Sequence, residues 1–322
     1  MGQNHITGIL SEAIKLDRLA HAYLFSGSRG TGKTTLARIL ARSAGTAEED
    51  IYEIDAASNR GIDDIRSLRE HVSVLPFSSA FKLYIIDEVH MLSKDAWNAL
   101  LKTLEEPPKH VIFILATTEL EKVPETIISR CQTFAFRRPE REVIRDLVLK
   151  VAKTEGYTID AGGADLIALL GDGSFRDALG MLEKVFAASP DKKISQEEIE
   201  AITGAPRSDL VNSFIANLLA KNGEQALHVL AQTEKLGISM EIFGTLVLEK
   251  ARFILLAQHS SSAKNDLEKR LSSEDLAFVL EQAKLKVLNP TILVALIDAV
   301  EALGRARIKS LPLEMAVVGV CG

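Results

Sequence analysis

Apolar and polar positions divide the chain into two regimes. Up to Pro139, short apolar runs at 22–26, 51–55, 83–87, 111–116 and 132–136 alternate with longer amphipathic stretches such as 34–44 and 94–104. The first four runs are bounded by polar, glycine or charged residues, and Leu83-Tyr84-Ile85-Ile86 is apolar almost throughout. Runs of this kind predict strands buried on both faces. Strands alternating with helices predict an α/β region around a mostly parallel sheet.

After Pro139 the strand signals fade. Stretches 140–155, 161–170 and 176–188 read as three helices, divided by Gly156 and by Gly171-Asp172-Gly173. The polar run Ser189-Pro190-Asp191-Lys192-Lys193 reads as a linker. From Ser195 onward the pattern is helical. Leu276, Val279, Leu280, Ala283 and Val287 fall on one helix face, and Pro290 suits the first turn of a helix reaching about Arg307. The expected fold is α/β followed by all-α, with domains at 1–138, 139–189 and 194–322. There is no fixed-period repeat and no sustained heptad.

Composition narrows the function. The 322 residues are 47% hydrophobic and 25% charged, which is ordinary for globular domains and enough for more than one core. Lys and Arg total 38 against 44 Asp and Glu, a net charge of −6. That excludes a globally basic nucleic-acid binder and leaves room for a local basic patch. Cys131 and Cys321 make neither a disulfide framework nor a zinc-ligand spacing, and they fit a reducing compartment. The start Met1-Gly2-Gln3-Asn4-His5 lacks signal-peptide character, and no apolar run approaches the roughly 20 residues of a membrane span. The expectation is a soluble, cytoplasmic protein with no membrane partner.

The strongest chemical signal is Gly27-Ser28-Arg29-Gly30-Thr31-Gly32-Lys33-Thr34, a full match to the phosphate-loop pattern G-x-x-x-x-G-K-[ST]. A strand precedes it and a helix follows, as the chemistry requires. Gly27, Gly30 and Gly32 let the backbone, with Thr31, turn its N–H groups onto phosphate oxygens, and the helix N-terminus, with Thr34 and Thr35 in its first turn, adds partial positive charge. Lys33 would neutralise the β- and γ-phosphates, and the Thr34 hydroxyl would ligate Mg²⁺. A bland Gly-rich turn is the alternative. Asp87-Glu88 ends the run at 83–87. Asp87 can hold Mg²⁺, and Glu88 can polarise an attacking water as general base. By itself such an acidic pair is more often a solvated loop start. Thr117 and Thr118, after the run at 111–116, place a hydroxyl where it can meet water or γ-phosphate, although strand-end threonines are common.

Beyond these, His21-Ala22-Tyr23-Leu24-Phe25-Ser26-Gly27, Asp55-Ala56-Ala57-Ser58-Asn59, Ile86-Asp87-Glu88-Val89-His90-Met91-Leu92-Ser93, Leu104-Glu105-Glu106-Pro107-Pro108, Ser129-Arg130-Cys131 and Gly173-Ser174-Phe175-Arg176-Asp177 occur together. In this combination, running from Gly2 to about Cys321, the chain resembles the gamma/tau family of bacterial clamp-loader ATPases, within the AAA+ superfamily. The resemblance implies a nucleotide domain, a three-helix lid and a helical collar that oligomerises. It implies ATP and Mg²⁺ as cofactors and hydrolysis coupled to loading a sliding clamp onto primer-template DNA. The implied partners are the other clamp-loader subunits in a hetero-pentameric ring, the clamp, the DNA and the polymerase III holoenzyme, at the nucleoid in the cytoplasm.

The same resemblance implies that Arg130 acts in trans on ATP held by a neighbour, where a guanidinium stabilises charge on the transferring phosphoryl group. Arg176 becomes the sensor-2 arginine facing the γ-phosphate, the alternative being a salt bridge to Asp172 or Asp177. Thr118 becomes the sensor-1 residue. Asn59, Arg60 and Arg66 are the candidate DNA-backbone contacts, the alternative being a solvated helix face, and Leu75-Pro76-Phe77 is either an apolar tip offered to the clamp or a core-packing segment. Two departures stand out. The family usually inserts a four-cysteine zinc module where 41–50 lies here without a cysteine, so no zinc is expected. The family normally has a further stretch with an Arg-Pro pair before Met1-Gly2-Gln3, and its lack implies reduced nucleotide affinity or base selectivity. Two other readings are a structural AAA+ subunit with little turnover and another AAA+ machine, such as a branch-migration helicase or an archaeal-type loader small subunit.

Overall fold

Five parallel strands, β1 (Ala22–Ser26), β2 (Ile51–Asp55), β3 (Lys82–Asp87), β4 (Val111–Thr117) and β5 (Gln132–Ala135), make one sheet in the order β2-β3-β4-β1-β5. They belong to a computed structural model that describes residues 1–58, 68, 71–260, 267 and 270–322. The chain forms two units, Met1–Val143 with Gly173–Asp177, and Ile144–Asp172 with Ala178–Gly322.

In the first unit the central strands β1, β3 and β4 are buried almost throughout, whereas the edge strands β2 and β5 are largely exposed. Alternate residues serve opposite faces. Leu24, Tyr84, Ile86, Phe113 and Leu115 pack with Trp97, Leu100 and Leu104 of helix α3 (Lys94–Glu105). Tyr23, Phe25, Leu83, Ile85, Ile112 and Ile114 pack with Ile6 and Leu10 of α1 (Asn4–Lys15) and with Ala37, Leu40 and Ala41 of α2 (Lys33–Ser43). Each fully buried Leu, Ile or Phe contributes about 1.5–3 kcal/mol. Tyr52, Tyr84 and Phe113 stack across β2, β3 and β4 with ring centroids 5.1 and 5.5 Å apart. Helix α1 was not foreseen, although Ile6 and Leu10 stand one helical turn apart. Ser93 caps α3 by accepting from the Ala96 N–H. A short helix α4 (Glu125–Ile128) precedes β5.

The second unit holds most of α5 (Arg141–Thr154) and α7 (Phe175–Ala188), all of α6 (Ala161–Leu170), and the run from α8 (Gln196–Thr203) to the end. That run continues through α9 (Ser208–Leu219), α10 (Gly223–Lys235), α11 (Met240–His259), α12 (Ser273–Leu285), α13 (Pro290–Leu303) and α14 (Leu311–Cys321). Three differences from the sequence reading have local causes. The stretch read as a linker ends in a two-residue strand, β7 (Lys193–Ile194), paired in parallel with β6 (Thr158–Ile159). There the Asp160 carboxylate accepts from the N–H of Gly163 (2.6 Å) and of Gln196 (3.1 Å), so one side chain serves the starts of both α6 and α8. Val287 does not continue the face of α12: the helix stops at Leu285 and Lys286 turns left-handed (φ 53°). The helix opened by Pro290 stops at Leu303, short of Arg307. Among the described residues, no helix is long and apolar enough to cross a membrane.

Candidate nucleotide site

The loop after β1 is shaped by its glycines. Gly27, Gly30 and Gly32 have φ of 147°, 73° and 96°. A Cβ on Gly27 would stand 2.6 Å from the Phe136 carbonyl oxygen, and one on Gly30 would run into the Ser174 side chain. The loop is therefore closed on one side by 173–177, where the Phe175 N–H donates to the Gly30 carbonyl (2.9 Å) and the Ser174 hydroxyl accepts from the Asp177 N–H (3.2 Å). Thr31 braces the loop from inside, its hydroxyl donating to the Ser28 carbonyl at 2.9 Å.

Lys33 is 6% exposed, and its ammonium folds back over the loop, donating to the carbonyls of Gly27 (2.7 Å) and Ser28 (3.0 Å). Burial lowers its pKa; the charges of Glu88 and Asp87 oppose that, and Arg176 adds to it. All three charged groups thus act on one lysine, which gathers the predicted Lys33, Asp87, Glu88 and Arg176 around the loop. The Thr34 hydroxyl donates to Asp87 Oδ2 at 2.6 Å, and Asp87 Oδ1 accepts from the Glu88 N–H at 2.9 Å. A hydroxyl and a carboxylate in direct contact are hard oxygen donors of the kind Mg²⁺ prefers. Thr35 is exposed in the first turn of α2.

Glu88 is held left-handed (φ 46°) at the end of β3. Its Oε2 accepts from the Thr118 hydroxyl (3.0 Å) and N–H (3.3 Å), which distinguishes Thr118 from Thr117. Thr117 turns instead to His90, with its hydroxyl 3.1 Å from Nδ1. Nothing in the apolar pattern singled out His90 or Glu119, yet the His90 ring is 6% exposed, with Nε2 3.1 Å from Glu119 Oε1.

Arg130 stands outside this hydrogen-bonded cluster. Its guanidinium donates to Glu105 Oε1 (2.7 Å), the Thr126 carbonyl (2.7 Å) and the Ser129 hydroxyl (3.3 Å). Beside it, burial pushes the Cys131 thiol up to about 12. Of the two readings for Leu75-Pro76-Phe77, core packing is overturned: Leu75 is 72% and Phe77 87% exposed. The backbone behind the tip is fixed by the fully buried Asp50, whose carboxylate accepts from the N–H groups of Phe77 (2.6 Å), Ser78 (2.9 Å) and Ser79 (2.9 Å). Burial would raise the pKa of Asp50, but these bonds outweigh it and hold the carboxyl at about 2. Asn59, Arg60 and Arg66 lie outside the described residues.

Residues 46–140 match the family described as "DNA polymerase III, delta subunit". The chain is 43% identical to DNA polymerase III subunit tau of Bacillus subtilis, over 71% of this chain and 44% of that one. It is 35% identical to subunit tau of Escherichia coli, over 91% of this chain and 49% of that one, and 38% identical to subunit gamma/tau of Mycoplasma pneumoniae, over 76% and 39%. Among solved structures its fold is similar to that of the Thermotoga maritima RuvB Holliday junction branch migration motor, with a TM-score of 0.55 at 19% identity, over 68% of this chain and 76% of that one. The chain spans about half the length, or less, of the curated relatives it matches. By sequence, it is a homologue of the tau and gamma/tau subunits of DNA polymerase III, matched across most of its own length.

Proposed function

We propose that the chain is an ATP-hydrolysing motor subunit of a sliding-clamp loader, placing the polymerase processivity clamp on primed DNA. The observation that carries the reading is the contact of Thr34 with Asp87 beside a buried Lys33, which joins the phosphate loop to the acidic end of β3. In this reading the β- and γ-phosphates take the place of the Gly27 and Ser28 carbonyls on Lys33. Thr34 and Asp87 would hold Mg²⁺, which when bound offsets phosphate charge. Gly27, Gly30, Thr31, Gly32 and Thr35 line the phosphates, Arg176 faces the γ-phosphate, and Glu88, held by Thr118, takes the proton of the attacking water.

Arg130 then serves ATP bound by a neighbouring subunit, which makes hydrolysis depend on assembly. Residues 139–189 act as the lid and 194–322 as the oligomerising collar. An exposed apolar row on α14, Leu311, Met315 and Val318, supports the latter. Phe77 is offered to the clamp. The partners are further loader subunits in a hetero-pentameric ring, the clamp, primer-template DNA and the polymerase holoenzyme, and the work is done in the cytoplasm at the nucleoid. The test is ATP hydrolysis by the purified chain with partner subunits, clamp and primed DNA, added singly and together. Stimulation by the full set is expected. An unstimulated rate would favour a low-turnover structural subunit, and hexamers that unwind DNA would favour a helicase.

A further inference from the structure

Two segments meet beside Glu88: the turn Val89–Met91 after β3, and the end of β4 with its following residues 118–122. His90 is the side chain that joins them. Its Nδ1 lies 3.1 Å from Thr117 Oγ1 and 3.4 Å from Glu88 Oε2, and its Nε2 lies 3.1 Å from Glu119 Oε1. The groups around the ring are themselves fixed. Thr117 Oγ1 takes the Glu119 N–H at 3.0 Å, and the Glu119 carboxylate receives Lys122 Nζ at 2.8 Å. The hydrogen bond from Lys122 also holds the Glu119 carboxyl below the usual carboxylate range. The ring is thus buried in a chain of polar contacts that runs from Glu88 to an exposed lysine.

We propose that His90, braced by Glu119, is the positioning residue that aims Glu88 at the attacking water. The inference rests on the reading of Glu88 as general base. Its physical reason lies in how Glu88 is held. Thr118 hydrogen-bonds Oε2 through both its hydroxyl and its N–H, and the edge of the His90 ring packs against the same oxygen at 3.4 Å, which leaves Oε1 as the oxygen for water. A carboxylate with one oxygen tethered on one side only by Thr118 can swing about that tether. A buried imidazole on the other side stops the swing, and a misplacement of about 1 Å can cost a catalytic step on the order of 100-fold. Neither His90 nor Glu119 needs to touch nucleotide for this.

The experiment compares steady-state ATP hydrolysis and ATP binding by the assembled loader carrying His90→Ala, His90→Asn, Glu119→Gln, Glu88→Gln and the pair His90→Ala with Glu88→Gln. Residual rates in the Glu88→Gln backgrounds are followed in single turnovers with enzyme in excess. His90→Ala is expected to lower kcat about tenfold or more with KM and ATP affinity within about twofold. His90→Asn, which keeps a polar group at the Nδ1 position, is expected to recover part of the loss, and Glu119→Gln to show a smaller fall. In the Glu88→Gln background, His90→Ala is expected to cost nothing further, because a positioning residue has no function once its target is gone. An equal loss in both backgrounds, or a fall in ATP affinity that matches the fall in kcat, would overturn the inference. If Glu88→Gln itself left turnover unchanged, the reading of Glu88 would fail instead, and the two failures are told apart by that single variant.

Discussion

Lys33 shows how a charged side chain can be buried before its ligand arrives. Its ammonium is satisfied by two loop carbonyls, so the loop keeps its shape around a buried charge. Replacing it with alanine removes charge-assisted hydrogen bonds of about 1.5–3 kcal/mol each, so Lys33→Ala is expected to weaken ATP binding by more than about tenfold in a labelled-nucleotide titration. Asp50 is the opposite case, a buried anion that serves shape. With three N–H groups on one carboxylate, Asp50→Ala is expected to cost about 2–4 kcal/mol in urea unfolding and to loosen the segment that presents Phe77. Its folded pKa of about 2 lies below the ordinary aspartate value of 3.8. The stabilisation is therefore complete above about pH 4 and is lost as the pH falls through 2, and the stability gap between the native chain and Asp50→Asn should narrow over that interval.

Between elements, the second unit is fastened by a buried ion pair. Lys250 of α11 donates at 2.7 Å to Asp275 of α12, and at 2.7 Å each to Ser208 and Asn212 of α9. Burial lowers the pKa of Lys250. Burial would raise that of Asp275, but Lys250 outweighs it and lowers it. Nearby, burial pushes the Glu200 carboxyl up to about 7. Lys250→Ala leaves Asp275 buried without its counter-ion and is expected to cost about 3–5 kcal/mol in urea unfolding. Lys250→Met combined with Asp275→Leu should recover most of that loss. This network was invisible in the sequence, because Lys250 and Asp275 read there as ordinary polar positions on helices.

The strands were legible for the opposite reason: a strand buried on both faces must be apolar nearly throughout, so β1, β3 and β4 announce themselves. The glycine spacing of the loop after β1 was legible because positive φ at Gly27, Gly30 and Gly32 restricts which residues can stand there. His90, Ser174 and Asp50 were not. Each acts on residues distant in the chain, and only the folded sheet and the return of 173–177 to Gly30 bring them together.

For the whole molecule, the position of Arg130 is informative. It is held by its own chain through Glu105, Thr126 and Ser129, outside the cluster around Lys33. Arg130→Ala is therefore expected to leave ATP binding within about twofold while lowering hydrolysis by the assembled complex by about 1,000-fold or more. Loss of ATP binding by the isolated Arg130→Ala chain would rule out action across a subunit boundary. The strand order also sets a timetable for synthesis. β1 lies between β4 and β5, pairing with residues 113–117 and 132–135, so its neighbours leave the ribosome long after it does. At about 5–20 residues per second, that delay is on the order of 5–20 s. The loop that follows β1 is thus seated in the finished sheet only after about 110 further residues have been made. A nascent chain that has not yet reached β4 at Thr117 exposes β1 as an unpaired apolar segment, a target for chaperones, and one that has not reached β5 leaves it paired along one edge only.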